Sequence, residues 1–441
     1  MSNSIQRLGT ANMYDNAVRN VSARQTSLSN LQENLTSGKR VVRASDDPVS
    51  AAQAERALTR ISRIQTEQRA LESQRDSIAQ AESSLGDAVS LVQNARQLIV
   101  NAGSGTLTAA DRTTIANQLQ GLREQLLEVS NRKDTNGMPL MGALGSALTT
   151  FLGPQSTAPD YSFVGLPGQY ASSGVSIPLA VDGESAFMFD PNRDGTYNAD
   201  VRAAGGAVLP NNRSLTTSAI KAVDVSQVTG DRYAIVFSAV GPGATPGTST
   251  ATYTIQNLTQ GTASAPVTVP DFPNDKPLSI EISAAANPAV NVPGLSFTIN
   301  AAASKQADGS VVYTPANGDT VTLEPSASIF SVLDKAITEL RTAPNSSAAN
   351  QAVGQALANL DTGLERLHNM RGYAGELLNR ADSISGDQEK RAIQLESDRS
   401  RAEDLDMIKG ISDFQNQQIG YEAALKSYAQ VQKLSLFNFI G

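Results

Sequence analysis

The positions of the prolines constrain the fold of this 441-residue chain more than any other feature. Of its 19 prolines, 16 lie between Pro154 and Pro325. A proline inside a helix removes a hydrogen bond and clashes with the preceding turn, at a cost of about 3 kcal/mol. Long helices are therefore expected in residues 1–150 and 326–441 but not in the segment between them. The sequence predicts two helical ends around an inserted middle of different structure.

Apolar residues in the first block recur at alternating spacings of three and four. This 3.5-residue period is typical of a helix that packs along a partner helix. The first run ends at Gly38, and a second helix is predicted to begin at Pro48 with Asp47 as its N-cap. A third helix is predicted over 109–132. The three runs are Tyr14, Ala17, Val21, Arg24 (a polar exception), Leu28, Leu31 and Leu35; Ile78, Ala81, Leu85, Ala88, Val92, Ala95 and Ile99; and Ile115, Leu119, Leu122, Leu126 and Val129.

The last block has the same pattern. A short helix is predicted to end before Pro344, and a long one starts near Leu357 and continues to about residue 435. Because neither end has a complete partner within itself, the N- and C-terminal helices are expected to pair with each other. The apolar positions are Ile329, Leu333, Ile337 and Leu340; Leu357, Leu360, Leu364 and Leu367; and Leu405, Ile408, Ile411, Phe414, Tyr421, Leu425, Tyr428 and Val431.

The middle block is predicted to be β structure. It contains short runs rich in β-branched and aromatic residues, bounded by Gly, Pro, Asn and Asp, which is the pattern of an antiparallel sandwich or barrel. The clearest runs are 233–238, 251–255, 278–283 and 295–299, and 241–248 is predicted to be a loop. The predicted fold class is α+β: long antiparallel terminal helices in a coiled-coil-like bundle, with an inserted antiparallel β-rich domain.

Three domains are predicted from these blocks. Residues 1–45 with 400–441 form a terminal helical polymerisation domain, residues 46–150 with 326–399 a helical bundle, and residues 151–325 an outer β-rich domain.

Composition excludes several kinds of function. The chain has no cysteine and one histidine, which removes disulfides, cysteine-based zinc sites and histidine clusters. Its net charge of −8 argues against nucleic acid as a partner. No apolar run is long enough for a membrane span, and the first residues lack the apolar core of a secretory signal. We therefore expect no enzyme activity, no cofactor, and neither nucleic acid nor membrane as a partner.

A calcium loop is the first of a few weak candidates for chemistry. Residues 190–198 place oxygen ligands at positions 1, 3, 5 and 9 of such a loop and glycine at position 6, but Val201 stands where the bidentate glutamate belongs. A plain turn explains the same residues better. Whether 190–198 binds calcium stays open at this point.

The remaining candidates have simpler explanations as well. Asp46 and Asp47 form a carboxylate pair, but helix capping accounts for them without catalysis. Basic residues at Lys39, Arg40 and Arg43 are expected to be solvated or to contact an acidic neighbour. His368 follows Leu367 on a helix and is expected at the surface or half-buried. No residues are assigned to catalysis, cofactor binding or metal binding.

Four segments resemble the flagellin superfamily. Residues 37–48, Ser-Gly-Lys-Arg-Val-Val-Arg-Ala-Ser-Asp-Asp-Pro, resemble its N-terminal signature, and 404–441 resemble its C-terminal helix. Residues 313–330 and 181–197 are similar to the hook–filament junction members, the hook-associated protein 3 family. The segment 136–142 departs from those members and is similar to flagellin instead.

The resemblance implies a structural role outside the cell, in the bacterial flagellum. Members of this family pass unfolded through the flagellar type III export apparatus, and a chaperone binds the C-terminal helix. The resemblance implies an adaptor that polymerises as a ring, with self, a neighbouring hook-associated junction protein, and flagellin or the cap side of the filament as partners. The alternatives are flagellin itself, the filament subunit, or an exported surface adhesin with a binding β domain.

The assembly contacts are expected at the two chain ends. Residues near 1–45 and 400–441 are expected to be poorly ordered in the free monomer, and their apolar seams to be completed by neighbouring copies. The residues assigned to that contact are Leu28, Leu31, Leu35, Leu425, Tyr428 and Leu434.

Overall fold

The computed structural model describes residues 10–440, except 143–148, 158, 166–176, 179, 211–212, 275, 303, 306–310 and 313–314. Two compact units are present, residues 1–70 with 383–441 and residues 71–382. The helices are α1 (Thr10–Ser37), α2 (Pro48–Ala102), α3 (Ala109–Ser130), α4 (Gly183–Phe187), α5 (Ile329–Thr342), α6 (Ser346–Glu403) and α7 (Met407–Ile440). The three predicted N-terminal helices are thus confirmed, and the C-terminal block contains one break more than predicted.

In the unit of residues 71–382, α2 and α6 run antiparallel. Ion pairs join Arg75 to Asp382 (2.9 Å) and Arg96 to Asp361 (2.7 Å), so the residue number rises along one helix and falls along the other. These pairs are exposed, and each contributes little to stability. The apolar stripe of α2 carries the packing: all seven positions from Ile78 to Ile99 that the 3.5-residue period predicts are buried.

Helices α3 and α5 pack against each other through a mixed apolar and polar contact. Ile115 and Leu122, predicted for the buried face of α3, are only half-buried. Arg123 is buried instead, and its Nε lies 3.1 Å from Asp334 of α5. The phenol of Tyr161 donates to the same carboxylate at 2.5 Å. Because the guanidinium is paired, it replaces apolar packing on this face without leaving a buried charge unpaired.

The inserted segment contains fourteen short strands in its described residues. They are β1 (Phe151–Leu152), β2 (Ser162–Phe163), β3 (Tyr197–Arg202), β4 (Ser214–Thr217), β5 (Lys221–Ala222), β6 (Tyr233–Pro242), β7 (Thr248–Asn257), β8 (Thr262–Ala263), β9 (Val267–Pro273), β10 (Leu278–Ile282), β11 (Leu295–Ala302), β12 (Ser304–Lys305), β13 (Val311–Val312) and β14 (Thr320–Pro325). The four strand runs predicted from the sequence correspond to β6, β7, β10 and β11, which confirms the α+β class.

The strands form two main antiparallel sheets that share one core. The first has the order β3-β14-β6-β7, with β8 and β9 both paired to β7, and the second has the order β10-β11-β4, with β5 also paired to β11. Small ribbons are formed by β1 with β2 and by β12 with β13. Alternate residues of each strand point into the space between the sheets, as in Leu278, Ile280 and Ile282 of β10. The inserted domain is therefore a sandwich.

Helices α1 and α7 pack against each other in the unit of residues 1–70 with 383–441. This unit also contains the first part of α2 and the last part of α6. Helix α1 ends at Ser37, and Gly38 follows with a positive φ of 70°, a conformation that glycine adopts without strain. The loop between α1 and α2 and the break between α6 and α7 both belong to this unit.

Candidate functional site on the terminal helices

Asp47 determines where α2 begins. Its Oδ1 accepts hydrogen bonds from the backbone N–H groups of Val49 (3.2 Å) and Ser50 (3.1 Å), and Pro48 is the first helical residue. The side-chain and backbone hydrogen bonds of Ser50, with a further contribution from Arg40, lower the pKa of Asp47 to about 2. The carboxylate is therefore ionised at neutral pH and acts as the helix cap.

Asp46 likewise accepts hydrogen bonds from backbone N–H groups, in the loop before α2. Its Oδ2 accepts the backbone N–H groups of Val42 (3.2 Å) and Arg43 (2.8 Å). The guanidinium of Arg43 in turn lies 2.8 Å from Glu33 of α1. Asp46 and Asp47 thus each accept hydrogen bonds from a different stretch of backbone, as capping groups do.

Lys39 and Arg40 bind the end of α6. The backbone N–H of Arg40 donates to the carbonyl of Glu403 at 2.7 Å, and its guanidinium donates to the carbonyl of Ala402 at 2.8 Å. Lys39 forms an ion pair with the side chain of Glu403. Since the last carbonyls of a helix lack partners within it, the cationic loop satisfies groups that α6 leaves open. Of the two alternatives for these basic residues, contact with an acidic neighbour is the one observed.

The C-terminal helix was predicted to be continuous to about residue 435, and this was wrong. Helix α6 ends at Glu403 and α7 begins at Met407. Asp406 caps α7, accepting the N–H groups of Ile408 and Lys409 at 3.1 Å each. Leu405 donates its N–H to the carbonyl of Gly38 at 2.9 Å. The break therefore hydrogen-bonds to the loop between α1 and α2, and we call this paired region the joint (residues 38–47 with 402–406).

Beyond the joint, α1 and α7 form an antiparallel pair. Leu35 contacts Gly410, whereas Arg24 contacts Gly420, so the residue number falls along α1 as it rises along α7. The half-buried seam of α1 follows the predicted period, with Ala17, Val21, Arg24, Leu28, Leu31 and Leu35. The matching seam of α7, fully or half-buried and again spaced by three and four, consists of Gly410, Phe414, Gln417, Tyr421, Ala424 and Tyr428.

This pairing confirms the prediction that the N- and C-terminal helices pair with each other. In the described residues the seams of α1 and α7 face each other within one chain, and the further prediction that neighbouring copies complete these seams stays a prediction. The physical reason is that the joint brings the two helices together as antiparallel neighbours, so each apolar stripe covers the other. Most seam residues remain partly exposed, so a contact with another copy has both their open side and any separate apolar surface available.

Helix α7 has such a surface on another side. Ile408 is 86% exposed and Ile419 is 67% exposed, and both lie opposite the seam on a helix of 3.6 residues per turn. Ile411 (47%), Met407 (45%) and Leu425 (40%) are also exposed and lie between these isoleucines and the seam around the helix. We call these five residues the outer apolar face. Met407, Ile408 and Ile411 adjoin each other at spacings of three and four residues, and adjoining exposed apolar side chains are typical of an interaction site.

The residues assigned to assembly from the sequence divide between these surfaces. Leu28, Leu31, Leu35 and Tyr428 lie on the intrachain seam, and Leu425 lies on the outer apolar face. Leu434 belongs to α7, but its side chain lies outside the described residues. The sequence showed that α7 is rich in apolar residues but not that they lie on two separate surfaces. Ile408, Ile411 and Phe414 recur at intervals of three residues, so the sequence placed them all on one stripe.

In the calcium-like loop (residues 190–198), the central carboxylate pairs with arginine side chains of the chain. Asp194 lies 2.7 Å from Arg366 of α6 and 3.1 Å from Arg193, and its Oδ2 also accepts the N–H of Asp190. The carboxylate at the centre of the loop is therefore paired with two arginines of the chain itself. In the part of the chain that the structure describes, no group of three or more acidic or histidine side chains is arranged to hold a metal ion. His368 is exposed, which is one of the two environments predicted for it from the sequence.

None of the described helices combines the length and the hydropathy that crossing a bilayer requires.

Comparison with known proteins connects these helices to a family. Residues 8–144 match the model of the bacterial flagellin N-terminal helical region. The chain is 30% identical over 224 residues to flagellar hook-associated protein 3 of Escherichia coli K12, covering 49% of this chain and 66% of that protein. It is 35% identical over 133 residues to flagellar hook-associated protein 3 of Salmonella typhimurium, covering 30% and 41% respectively. The chain thus spans just under two thirds of the first relative and about two fifths of the second.

A solved structure has the same fold. The crystal structure of the flagellar junction protein FlgL from Legionella pneumophila superposes with a TM-score of 0.53 and 21% identity, covering 75% of this chain and 99% of that one. At this identity the likeness supports the fold alone. Together with the sequence matches, it confirms that the chain resembles the flagellin superfamily and, within it, hook-associated protein 3.

Proposed function

We propose that this protein is a structural adaptor of the bacterial flagellum, which polymerises as a ring at the hook–filament junction so that the filament attaches to the hook. Three findings support the proposal. The chain carries the flagellin N-terminal helical region, its curated relatives are named flagellar hook-associated protein 3, and a protein of the same fold is named a flagellar junction protein.

The outer apolar face is the observation that carries the self-assembly part of this proposal. The intrachain seam already uses one side of α7, so the exposed isoleucines at 408 and 419 are available to another molecule. Burying an exposed isoleucine stabilises a contact by about 1.5–3 kcal/mol. Two or three such residues from each copy offset much of the entropy lost when subunits associate. We assign this face to the contact between neighbouring copies in the ring.

The joint gives that face a defined position. Arg40 and Asp406 bond backbone groups, and Lys39 bonds the side chain of Glu403, between α6 and α7 and beside the end of α1. The α1–α7 pair is consequently held as a hydrogen-bonded element rather than as two separate chain ends. A preset surface loses less conformational entropy on binding than a flexible one.

The other partners follow from the family. In the proposed role, the ring contacts a neighbouring hook-associated junction protein on one side and flagellin or the cap side of the filament on the other. An export chaperone covers the C-terminal helix before export through the flagellar type III apparatus, and the outer apolar face is the surface that such a chaperone shields. The proposed role is mechanical and includes no catalysis.

Deleting the gene separates this role from that of flagellin. An adaptor predicts cells with hooks but no filaments and with flagellin released into the medium, as seen by electron microscopy. A filament subunit predicts cells in which the junction proteins remain on the hook and no flagellin is released.

Paired substitutions test the assembly surface. Ile408→Asp with Ile419→Asp adds two charges to the outer apolar face and leaves the α1–α7 seam intact, since both side chains are mostly exposed. The matched control is Asn416→Asp, an exposed position on the same helix away from both apolar stripes. We expect the double variant to fold normally, by circular dichroism, and to be unable to attach filaments.

Two results would contradict the assignment. Normal filaments on cells that carry the double variant would show that the outer apolar face is not an assembly contact. Loss of filaments with Asn416→Asp as well would show that added charge anywhere on α7 is sufficient.

A further inference from the structure

Two edges of the sandwich, β3 on one side and β4 with β5 on the other, face each other without pairing. Strand β3 pairs with β14 on one side only, and β4 and β5 pair only with β11. Their other sides expose backbone N–H and C=O groups near the line where the two sheets meet. Buried backbone groups without partners are costly, so this line needs hydrogen bonds from another source.

Two glutamines of α6 supply those hydrogen bonds. Gln355 accepts the N–H of Ile220 at 3.0 Å and donates to the carbonyl of Tyr197 at 2.5 Å. Gln351 accepts the N–H of Thr217 at 3.2 Å and donates to the carbonyl of Ala199 at 3.4 Å. Each side-chain amide thus connects an N–H of the β4–β5 segment to a C=O of β3.

Asn359 extends the row by one more helical turn. Its Nδ2 lies 3.0 Å from the carbonyl oxygen of Tyr197 and 3.0 Å from Oδ1 of Asn198. Gln355 and Asn359 are buried, with 4% and 2% of their surfaces exposed. Amides at this depth are retained only when their hydrogen bonds are satisfied, and here both are.

The spacing of the row fits the strand that it contacts. Gln351 and Gln355 are four residues apart, which is about 6 Å along a helix. Their acceptors Ala199 and Tyr197 are two residues apart, which is about 6.8 Å along an antiparallel strand. A side-chain amide also has the same donor and acceptor as a peptide group. The row therefore presents N–H donors to β3 and carbonyl acceptors to the β4–β5 segment, as a strand lying between the two edges would in part.

We propose that Gln351, Gln355 and Asn359, the amide row, act as a surrogate strand, so that the sandwich closes only when α6 lies along it. The inserted domain is then not an independent folding unit, although the chain enters and leaves it as a single insertion. Residues 197–302 complete their hydrogen bonding only after the chain has returned through residue 359. This inference does not depend on the proposed role in the flagellum.

Hydrogen exchange on the full-length protein tests the proposal. In a variant with Gln355→Met and Asn359→Leu, the row loses two of its three side-chain amides but keeps its apolar volume and helix propensity. We expect the backbone amide of Ile220, which loses its acceptor Gln355, to exchange about tenfold faster or more, and that of Thr217, whose acceptor Gln351 remains, to change less. Exchange in α2 and α3 should be unchanged. The control is Asn350→Leu, at an exposed position one residue before the row.

A milder variant covers the case in which the double variant does not fold. Gln351→Met removes only the partners of Thr217 and Ala199, at the half-buried end of the row. It should accelerate exchange at Thr217 and leave Ile220 protected. Exchange at Thr217 equal to that in Asn350→Leu, or faster exchange spread evenly over the whole unit, would overturn the proposal.

Discussion

Asp47 shows how a single carboxylate acts on local structure. Hydrogen bonds from the hydroxyl and then the backbone N–H of Ser50, with a smaller contribution from Arg40, favour the ionised form, so its pKa falls to about 2 from the ordinary value of 3.8. A group whose pKa is lower in the folded state stabilises that state above its unfolded pKa. The contribution is lost as the pH falls through the folded value. The start of α2 is therefore predicted to weaken between about pH 4 and pH 2.

Nuclear magnetic resonance measures this directly. In the native protein, the amide proton shifts of Val49 and Ser50 should titrate with a midpoint near 2. In Asp47→Asn, which keeps a capping oxygen but has no charge, the titration should disappear and the start of α2 should be less stable at neutral pH. A midpoint near 3.8 in the native protein would show that the carboxylate does not bond these amides in solution.

Arg24 is the polar exception in the seam of α1, and the sequence alone gave no reason for it. In the structure its guanidinium lies across Gly420, where the missing side chain leaves room for it. Among the described residues no ion pair is formed by Arg24. A charged group at a seam position costs stability but fixes the register of two helices. Gly420 and Arg24 thus align α1 with α7.

At the scale of the helix, two glycines of α7, Gly410 in the seam and Gly420 beside it, predict opposite effects of the same substitution. Glycine to alanine inside a helix gains about 1 kcal/mol from helix propensity. A Cβ at Gly420 would meet only the mobile end of Arg24, whereas one at Gly410 would lie 2.8 Å from Leu405 and 3.2 Å from Leu35. Gly420→Ala should therefore stabilise the α1–α7 pair. In Gly410→Ala, the steric clash with Leu405 and Leu35 should cancel the gain in helix propensity.

Urea unfolding followed by hydrogen exchange in α7 compares the two variants. The expected order of stability is Gly420→Ala, then native, with Gly410→Ala equal to native or below it. The reverse order of the two variants would mean that α1 and α7 do not pack in the register described.

The helices illustrate what the sequence was able to predict. The stripe from Ile78 to Ile99 follows a local period, and every one of its members is buried. The break after Glu403 was missed because no proline or glycine marks it, and the capping role of Asp406 became visible only beside the joint. Local patterns therefore predicted the elements, while contacts between distant parts of the chain determined where the last long helix is interrupted.

The same division holds for the β domain. Alternating β-branched and aromatic residues predicted the strands at 233–238 and 295–299, since this signal is local. The sheet order was not predictable, because β14 lies between β3 and β6, which precede it by about a hundred residues. Gln355 gave no signal either, since a glutamine on a helix is an ordinary surface residue until a strand edge lies beside it.

At the scale of the whole molecule, α7 has two apolar surfaces, the seam used within the chain and the outer apolar face that the proposed assembly uses. The seam holds α7 to α1, and the outer apolar face remains exposed. A strong intrachain pair and a free interaction surface are therefore compatible.

The most direct test uses the absence of cysteine from the chain, which makes a single introduced thiol an unambiguous reporter. Ile408→Cys and Ile419→Cys are compared with Ser279→Cys on the exposed side of β10. Thiol labelling is measured for the isolated protein and for the protein assembled on hooks. The account predicts fast labelling at all three positions in isolation and, after assembly, protection at 408 and 419 only. Equal labelling at 408 and 419 before and after assembly would contradict it.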